Sequence, residues 1–494
     1  MNPIGLLNLI FCALVLLRCA RRRELTTVYW GAAFLFGGLP LAFPSLIHFE
    51  MRPGHVFADS VLYTSALFIL AFNIMFAATA HRVTLRTKSI GLPVHSNEFT
   101  PAQLAMIRRF FWWPCVVFVI AAPVVIWMTG GSLDSIGSLK WTTSAELYEG
   151  QTHYGFVAAN TWFMVFSFAV PFALLLKRHL TVVALLALAF VTTQVTGTRT
   201  YFLPAFISVA TLLVLRVFTF RPRRTFPLFA GGLIFSVVVL VFAYKGLAFV
   251  AWARLHYDVA SLAADPGTAW SAFSDTYEAQ MDASAGAMLY SFEVFPSDIP
   301  YCNGLTYSEM ALTPVPATLL RMLGFTAAKT NEFSGIILAR HLYGVSHETR
   351  FASIHPTLWG DAYANFGPLG ALLGSFWGLA FGGIERLLRS RQILCIIALP
   401  TYVSFVAVLV RGSMVHATLY FYTASMLIGL LLLLVHLFAP SAYRLAIMLA
   451  PGAIYLRIRR PFRPSLSNAP GHLVIAGFDR HEDAVRPLHR RMGL

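Results

Sequence analysis

The residues best able to do chemistry in this chain are a scattered set of arginines and one short polar stretch. Arg199 stands in TGTRTYF, at the tip of a tight hairpin between two apolar runs, and the run before it ends in Thr192, Thr193, Gln194, Thr196 and Thr198. Arg411 opens RGSMVHATLYFY, a second short turn, with His416 and Tyr420 behind it. Arg254, Arg321, Arg340 and Arg350, with Lys245 and Lys329, belong to one long polar segment or its start. An arginine at a helix end can simply carry its charge out to the interface. The polar run before Arg199 argues instead for a hydrated pocket. Several arginines on one side suit an anion, and the planar guanidinium fork matches phosphate. No Asp-x-Asp pair occurs, so the usual carboxylate clamp for a metal-bound nucleotide is missing. Arg and Lys would then neutralise the phosphates themselves. The expectation is a site without metal or cofactor.

The polar stretch is FASIHPTLWGDAYANFGPLG, residues 351–370. Pro356 suits the first position of a helix. On that helix Thr357, Asp361 and Asn365 share one face, while Trp359, Tyr363 and Phe366 lie elsewhere. Gly367-Pro368 should break or kink it. Beyond the break Gly370, Gly374, Gly378 and Gly382 recur every fourth residue, a small-residue stripe that lets another helix come close. A carboxylate near a membrane boundary is costly unless paired or hydrated. Asp361 therefore either pairs with one of the arginines or works on a substrate. His341, His347 and His355 lack a zinc spacing such as His-Glu-x-x-His; they are surface residues, or one of them takes a proton from a hydroxyl.

The elements that must position these groups follow from composition. The chain is 57% hydrophobic and 12% charged, with mean hydropathy +0.67, outside the range of an ordinary soluble domain. Its apolar runs bracket the ~20 residues needed to cross a bilayer. The reading is an all-α polytopic membrane protein of about eleven transmembrane helices, near 3–17, 27–47, 59–79, 109–128, 156–176, 180–197, 200–218, 226–248, 357–384, 393–410 and 420–438. The first run is followed, not preceded, by Arg18, Arg21, Arg22 and Arg23, the reverse of a signal peptide, so an uncleaved helix with its N-terminus outside is expected. With that orientation the inner loops collect most of the Lys and Arg and the outer ones most of the Asp and Glu, as the positive-inside rule requires. The net charge of +15 thus holds topology against anionic lipid and calls for no nucleic acid. Cys12, Cys19, Cys115 and Cys395 fall in or at the ends of apolar runs, leaving Cys302 alone outside with no partner for an internal disulfide.

The organisation is a bundle of eight spans over 1–248, a large external loop over 249–355, three further spans within 356–438, and a basic cytoplasmic tail over 439–494. Two stretches of the loop, MDASAGAMLYSFEVF and LTYSEMALTPVPATLLRMLGF, are apolar yet too interrupted to span. Both read as short helices on the membrane surface, the second broken by Pro314 and Pro316. Functional residues gather in long loops on a rigid scaffold.

HPTLWGDAYANFGPLGALLGSFWG resembles the late segment of the oligosaccharide repeat-unit polymerases, the Wzy-type O-antigen and exopolysaccharide polymerases. There an acidic residue, an aromatic and an Asn-Phe-Gly-x-x-Gly run open a transmembrane helix. TGTRTYFLP resembles the Gly-x-Arg turn of those proteins, and MALTPVPATLL their proline-bearing loop segment. The resemblance covers roughly 180–420. It departs at Asp361, where the family more often has Glu, and at Pro-Val-Pro, where Pro-Arg is common.

The resemblance implies a GT-C-like membrane glycosyltransferase in the bacterial inner membrane, N-terminus periplasmic and C-terminus cytoplasmic. Its substrate would be undecaprenyl-diphosphate-linked oligosaccharide, and its partners membrane lipid and the chain-length regulator and flippase of the same pathway. Arg199, Arg411, Arg254, Arg340 and Arg350 would hold the diphosphate. Asp361 or His355 would be catalytic on the acceptor side, and Asn365, Tyr363 and His416 would complete substrate binding. Two other functions share parts of this pattern: an O-antigen ligase, with the same architecture, and a lipid or oligosaccharide transporter, which should carry charge through mid-membrane helices.

Overall fold

The computed structural model describes residues 1–22, 24–47, 55–85, 284–313, 333–343, 354–390 and 392–415, with short scattered pieces elsewhere. The expected spans between 109 and 248, the span 420–438 and the tail lie wholly or mostly outside the described residues. Every regular element among the described residues is helical. Among the described residues three helices are long and apolar enough to cross a membrane: Pro3–Arg21, Asp59–Val83 and Thr357–Leu388.

Helix α1 (Pro3–Arg21) starts on Asn2, whose side chain accepts from the backbone N–H of Ile4 and Gly5, with Pro3 in the first turn where no N–H is needed. It runs one turn past the expected Leu17. Arg18 and Arg21 in that last turn complement the helix dipole. Helices α2 (Thr27–Ala33) and α3 (Leu39–Ala42) form one rod joined by a π-turn, Phe34–Gly38. Helix α4 (Asp59–Leu85) is six residues longer than the expected 59–79. Leu7, Ile10 and Leu14 of α1 and Leu67 and Ile74 of α4 are exposed, as on helices whose outer sides meet lipid.

Polar glue joins these helices in their apolar interior. Asn73 Nδ2 donates to Asn8 Oδ1 at 3.0 Å, and the Tyr29 hydroxyl donates to Asn73 Oδ1 at 2.8 Å. Such interhelical bonds are the usual fasteners where lipid offers no hydrophobic drive for helices to meet.

Residues 284–294 form α5. Instead of lying on a surface with one side to water, α5 is enclosed: Ala287, Met288, Leu289 and Tyr290 are all within 1% of full burial. An apolar helix of this length buries itself wherever neighbours can cover it, and here they do. Helix α6 (Leu305–Leu312) stops just before Pro314, as a proline requires. Helix α7 (Ser334–Tyr343) follows, and then α8 (Thr357–Phe366).

Helix α8 ends at Gly367, whose φ of 57° no branched side chain would favour. A 3-10 segment, Gly367–Leu372, leads into α9 (Leu373–Ser390), so the break expected at Gly367-Pro368 is present. The glycine stripe of α9 lies on α4. A Cβ at Gly374 would collide with the Phe72 carbonyl oxygen, and one at Gly378 would stand 2.5 Å from that of Phe76. At the far end of α9, buried Glu385 accepts from the backbone N–H of Thr26 at 3.3 Å, placing a carboxylate at the N-terminus of α2. Helix α10 (Gln392–Arg411) follows, within one residue of the expected 393–410 at each end.

Candidate functional site

The site is built around α8. Pro356 stands just before the helix, one place earlier than expected, and Thr357 occupies the first position at φ 66°. A left-handed β-branched residue is strained, at about 1–3 kcal/mol. Two contacts hold it: the Thr357 N–H donates to the Gly412 carbonyl at 3.0 Å, and Thr357 Oγ1 accepts from the Gly360 N–H at 3.4 Å. The helix does not have the single protected face that its spacing suggested. Every residue from Thr357 to Asn365 is buried, and Phe366 alone is 38% exposed.

What surrounds α8 explains its polar residues. Asp361 Oδ1 accepts from the Ser334 hydroxyl, at the start of α7, and Oδ2 accepts from the Met414 N–H at 3.0 Å. Among the described residues its partners are these two neutral donors and no arginine or lysine; Arg199, Arg254 and Arg350, with which the ion pair considered above could also form, lie outside them. One turn on, Asn365 Oδ1 accepts from the Thr306 N–H at 3.1 Å. Its Nδ2 donates to Thr306 Oγ1 at 2.9 Å and to the Asp361 carbonyl at 2.7 Å. Thr306 Oγ1 accepts in addition from the Ser334 N–H at 3.1 Å. Asn365, Thr306, Ser334, Asp361 and Met414 thus form one continuous buried network joining α6, α7, α8 and the turn after α10. Each of its hydrogen bonds would leave a desolvated orphan if broken, a cost of about 1–3 kcal/mol each.

Arg411 is the last residue of α10 and begins that turn. Gly412 takes the Thr357 bond and Met414 gives the Asp361 bond, so the turn is tied to α8 at two points. Between them Ser413 Oγ is buried without a hydrogen-bond partner. Arg340 is half-buried on α7, the helix that Ser334 anchors. His355 is exposed, and its neighbour Ile354 donates from its N–H to the Gly335 carbonyl at 3.0 Å. Tyr363 is an aromatic packing residue: its ring stacks on Phe292 at 4.2 Å and meets Tyr301 and Phe68 edge-on. Arg199, Arg254, Arg350 and His416 lie outside the described residues. The structure therefore brings Asp361, Asn365, Arg411's turn and Arg340's helix into one assembly, with His355 on its exposed side.

Ser334, Thr306 and Tyr290 were not singled out from the sequence. Tyr290 of α5 shares a 2.8 Å hydrogen bond with His341 Nδ1, and His341 Nε2 lies 3.8 Å from Asp298 Oδ2. Ser334, in NEFSGIIL, carried a weak signal as a small polar residue opening an apolar helix; Thr306 carried none. The Cys302 N–H donates to the Ala364 carbonyl at 2.9 Å. Burial first, and then the charge of Asp361, push the Cys302 thiol up to about 12. Burial likewise raises the Tyr307 phenol well above its ordinary range. Among the described residues no three His, Cys, Asp or Glu side chains gather as a metal site.

Comparison with known proteins gives no match: no family model fits the chain, and no curated protein and no solved structure is significantly similar to it.

Proposed function

We propose that this membrane protein is a glycosyltransferase that polymerises lipid-linked oligosaccharide repeat units, with about eleven spans in a GT-C-like arrangement in the bacterial inner membrane. The observation that carries the reading is the assembly around α8. There a buried polar network seats an arginine-bearing turn and an arginine-bearing helix at one end of hydrophobic helices. An amphiphile with an anionic headgroup and an apolar tail requires that placement of charge beside apolar wall.

In this reading the hydroxyl of a new lipid-linked unit attacks the anomeric carbon of the growing glycan. The bond from that carbon to the diphosphate oxygen breaks, and undecaprenyl diphosphate leaves with the electron pair. Arg411, with Arg199, Arg254, Arg340 and Arg350, offsets the charge that develops on the leaving group. The acceptor proton passes to a base on the acceptor side; of the two expected candidates, exposed His355 is within reach of a substrate and buried Asp361 is not. Asn365 and Tyr363 support the site from the buried side, through the network and the aromatic packing, and His416 is the residue of the three left to meet the sugars. A chain-length regulator and a flippase would meet the enzyme at the same membrane.

The test is purified protein in detergent with native lipid-linked repeat unit, read on a gel. A ladder of increasing length is expected. Movement of the lipid-linked unit across vesicles without a ladder would make the protein a transporter. In a deletion strain, accumulation of single-unit glycan supports polymerisation, whereas long lipid-linked chains that are never attached point to a ligase.

A further inference from the structure

Asp361 has a carboxylate's chemistry but not a catalyst's exposure. Its side chain is 0% exposed, and each oxygen already accepts a hydrogen bond, one from Ser334 Oγ and one from the Met414 N–H. Those two donors belong to different parts of the chain. Ser334 opens α7, which carries Arg340 and His341. Met414 ends the turn that Arg411 begins, and the same turn accepts from the Thr357 N–H through Gly412. A carboxyl group that accepts from both parts ties them to a single side chain. It also gives direction, because the two carboxylate oxygens fix their donors in one plane. Behind it, Asn365 and Thr306 repeat the arrangement, with Thr306 Oγ1 also taking the Ser334 N–H. Ser334 is therefore held from both sides, through its hydroxyl by Asp361 and through its N–H by Thr306.

We infer that Ser334 and Asp361 are positioning residues: together they set the direction of Arg411's turn and of α7 for a polyprenyl diphosphate headgroup, and Asp361 takes no proton from substrate. This rests on the proposed function for the headgroup's identity and goes beyond it in assigning Ser334 and in separating Asp361 from acid–base chemistry.

The experiment uses the full chain in detergent and two soluble probes, farnesyl diphosphate and farnesol, titrated by calorimetry. Wild type should bind the diphosphate more tightly than the alcohol. Ser334→Ala removes one donor from Asp361 and should weaken diphosphate binding about ten-fold while leaving farnesol unchanged. Ser334→Thr keeps the hydroxyl and should stay within about three-fold of wild type. Asp361→Asn can accept from only one of its two donors, since the amide nitrogen would face the other, and should weaken the diphosphate about as much as Ser334→Ala. Should Ser334→Ala not be recovered folded, Asp361→Asn against wild type makes the same comparison.

A second readout separates positioning from proton transfer. The residual polymer formation of Asp361→Asn should keep the pH profile of wild type, with the loss recovered in part at high lipid-linked donor concentration. Unchanged diphosphate binding in Ser334→Ala or Asp361→Asn overturns the inference. So does an Asp361→Asn variant that binds diphosphate normally yet loses the acidic limb of the pH profile. A wild type that prefers neither probe overturns it as well. A wild type that binds diphosphate through this network but forms no ladder leaves the inference standing and refutes the polymerase reading.

Discussion

Replacing Gly374 by alanine adds a single methyl group where α9 touches α4. That carbon would fall on the Phe72 carbonyl oxygen, 2.9 Å from the Phe72 carbonyl carbon and 3.2 Å from Met75 Cβ. Carbon atoms in good contact stand about 3.5–4.0 Å apart and the carbonyl oxygen would be closer than the carbon, so the helices must part by roughly 1 Å. A gap of that size forfeits a quarter to a half of each contact along the seam. The expected cost is about 1–3 kcal/mol, as for other overpacked sites. Gly378→Ala should cost a similar amount, since its Cβ would meet the Thr79 hydroxyl, Phe76 O at 2.5 Å and Ala80 N at 3.1 Å. Gly383, on the same helix, is the control: a Cβ there meets nothing within 4 Å. Gly383→Ala should be neutral or stabilise by up to ~1 kcal/mol through helix propensity. Thermal unfolding of the purified variants, followed by tryptophan fluorescence, reads the difference. Equal melting temperatures for Gly374→Ala and Gly383→Ala would refute the close approach of α4 and α9.

Arg411→Ala should lower polymer formation roughly 30- to 1000-fold at normal protein level, the ~2–4 kcal/mol expected for losing a charged donor at a desolvated phosphate; Arg199→Lys should recover little, because an ammonium cannot make a two-pronged contact. In a variant whose sole cysteine is Cys302, maleimide labelling should rise about ten-fold per pH unit beyond pH 9 without a plateau, because a thiol raised from 9.0 to about 12 is still mostly protonated there; a plateau near pH 9 counts against its burial beside Asp361. A reporter fused after Leu494 should read cytoplasmic and a cysteine placed at Ser274 should label from outside intact cells, and the reverse pair of results would invert the proposed orientation.

What the sequence disclosed depended on whether the signal was local. The starts of α1 and α4, the break at Gly367 and the glycine stripe were legible because each depends on neighbours within a turn or two. The partners of Asp361 were not: Ser334 lies 27 residues before it and Met414 53 residues after it. One of those donors is a backbone N–H, which leaves no mark on residue type at all. The enclosure of α5 was hidden for a different reason. An apolar helix that lies on a bilayer and one that is wrapped by protein share the same composition, and only the neighbours decide. Arg411 could be singled out as a cation at a turn, but its tie to α8 runs through the carbonyl of Gly412 and so carried no signal.

The buried network also imposes an order on synthesis. Its members enter the growing chain as Thr306, Ser334, Asp361, Asn365 and finally Met414. Until the ribosome has passed residue 414, Asp361 lacks the second of its donors, and a carboxylate left short of partners stays in water rather than settle among apolar helices. Helix α8 can therefore dock only after α10 has been made, however early α1 and α4 come together. The arginine-bearing turn and the helices it joins come together in one late step, so a nascent chain stopped before Met414 would hold its apolar helices but not the network that ties them.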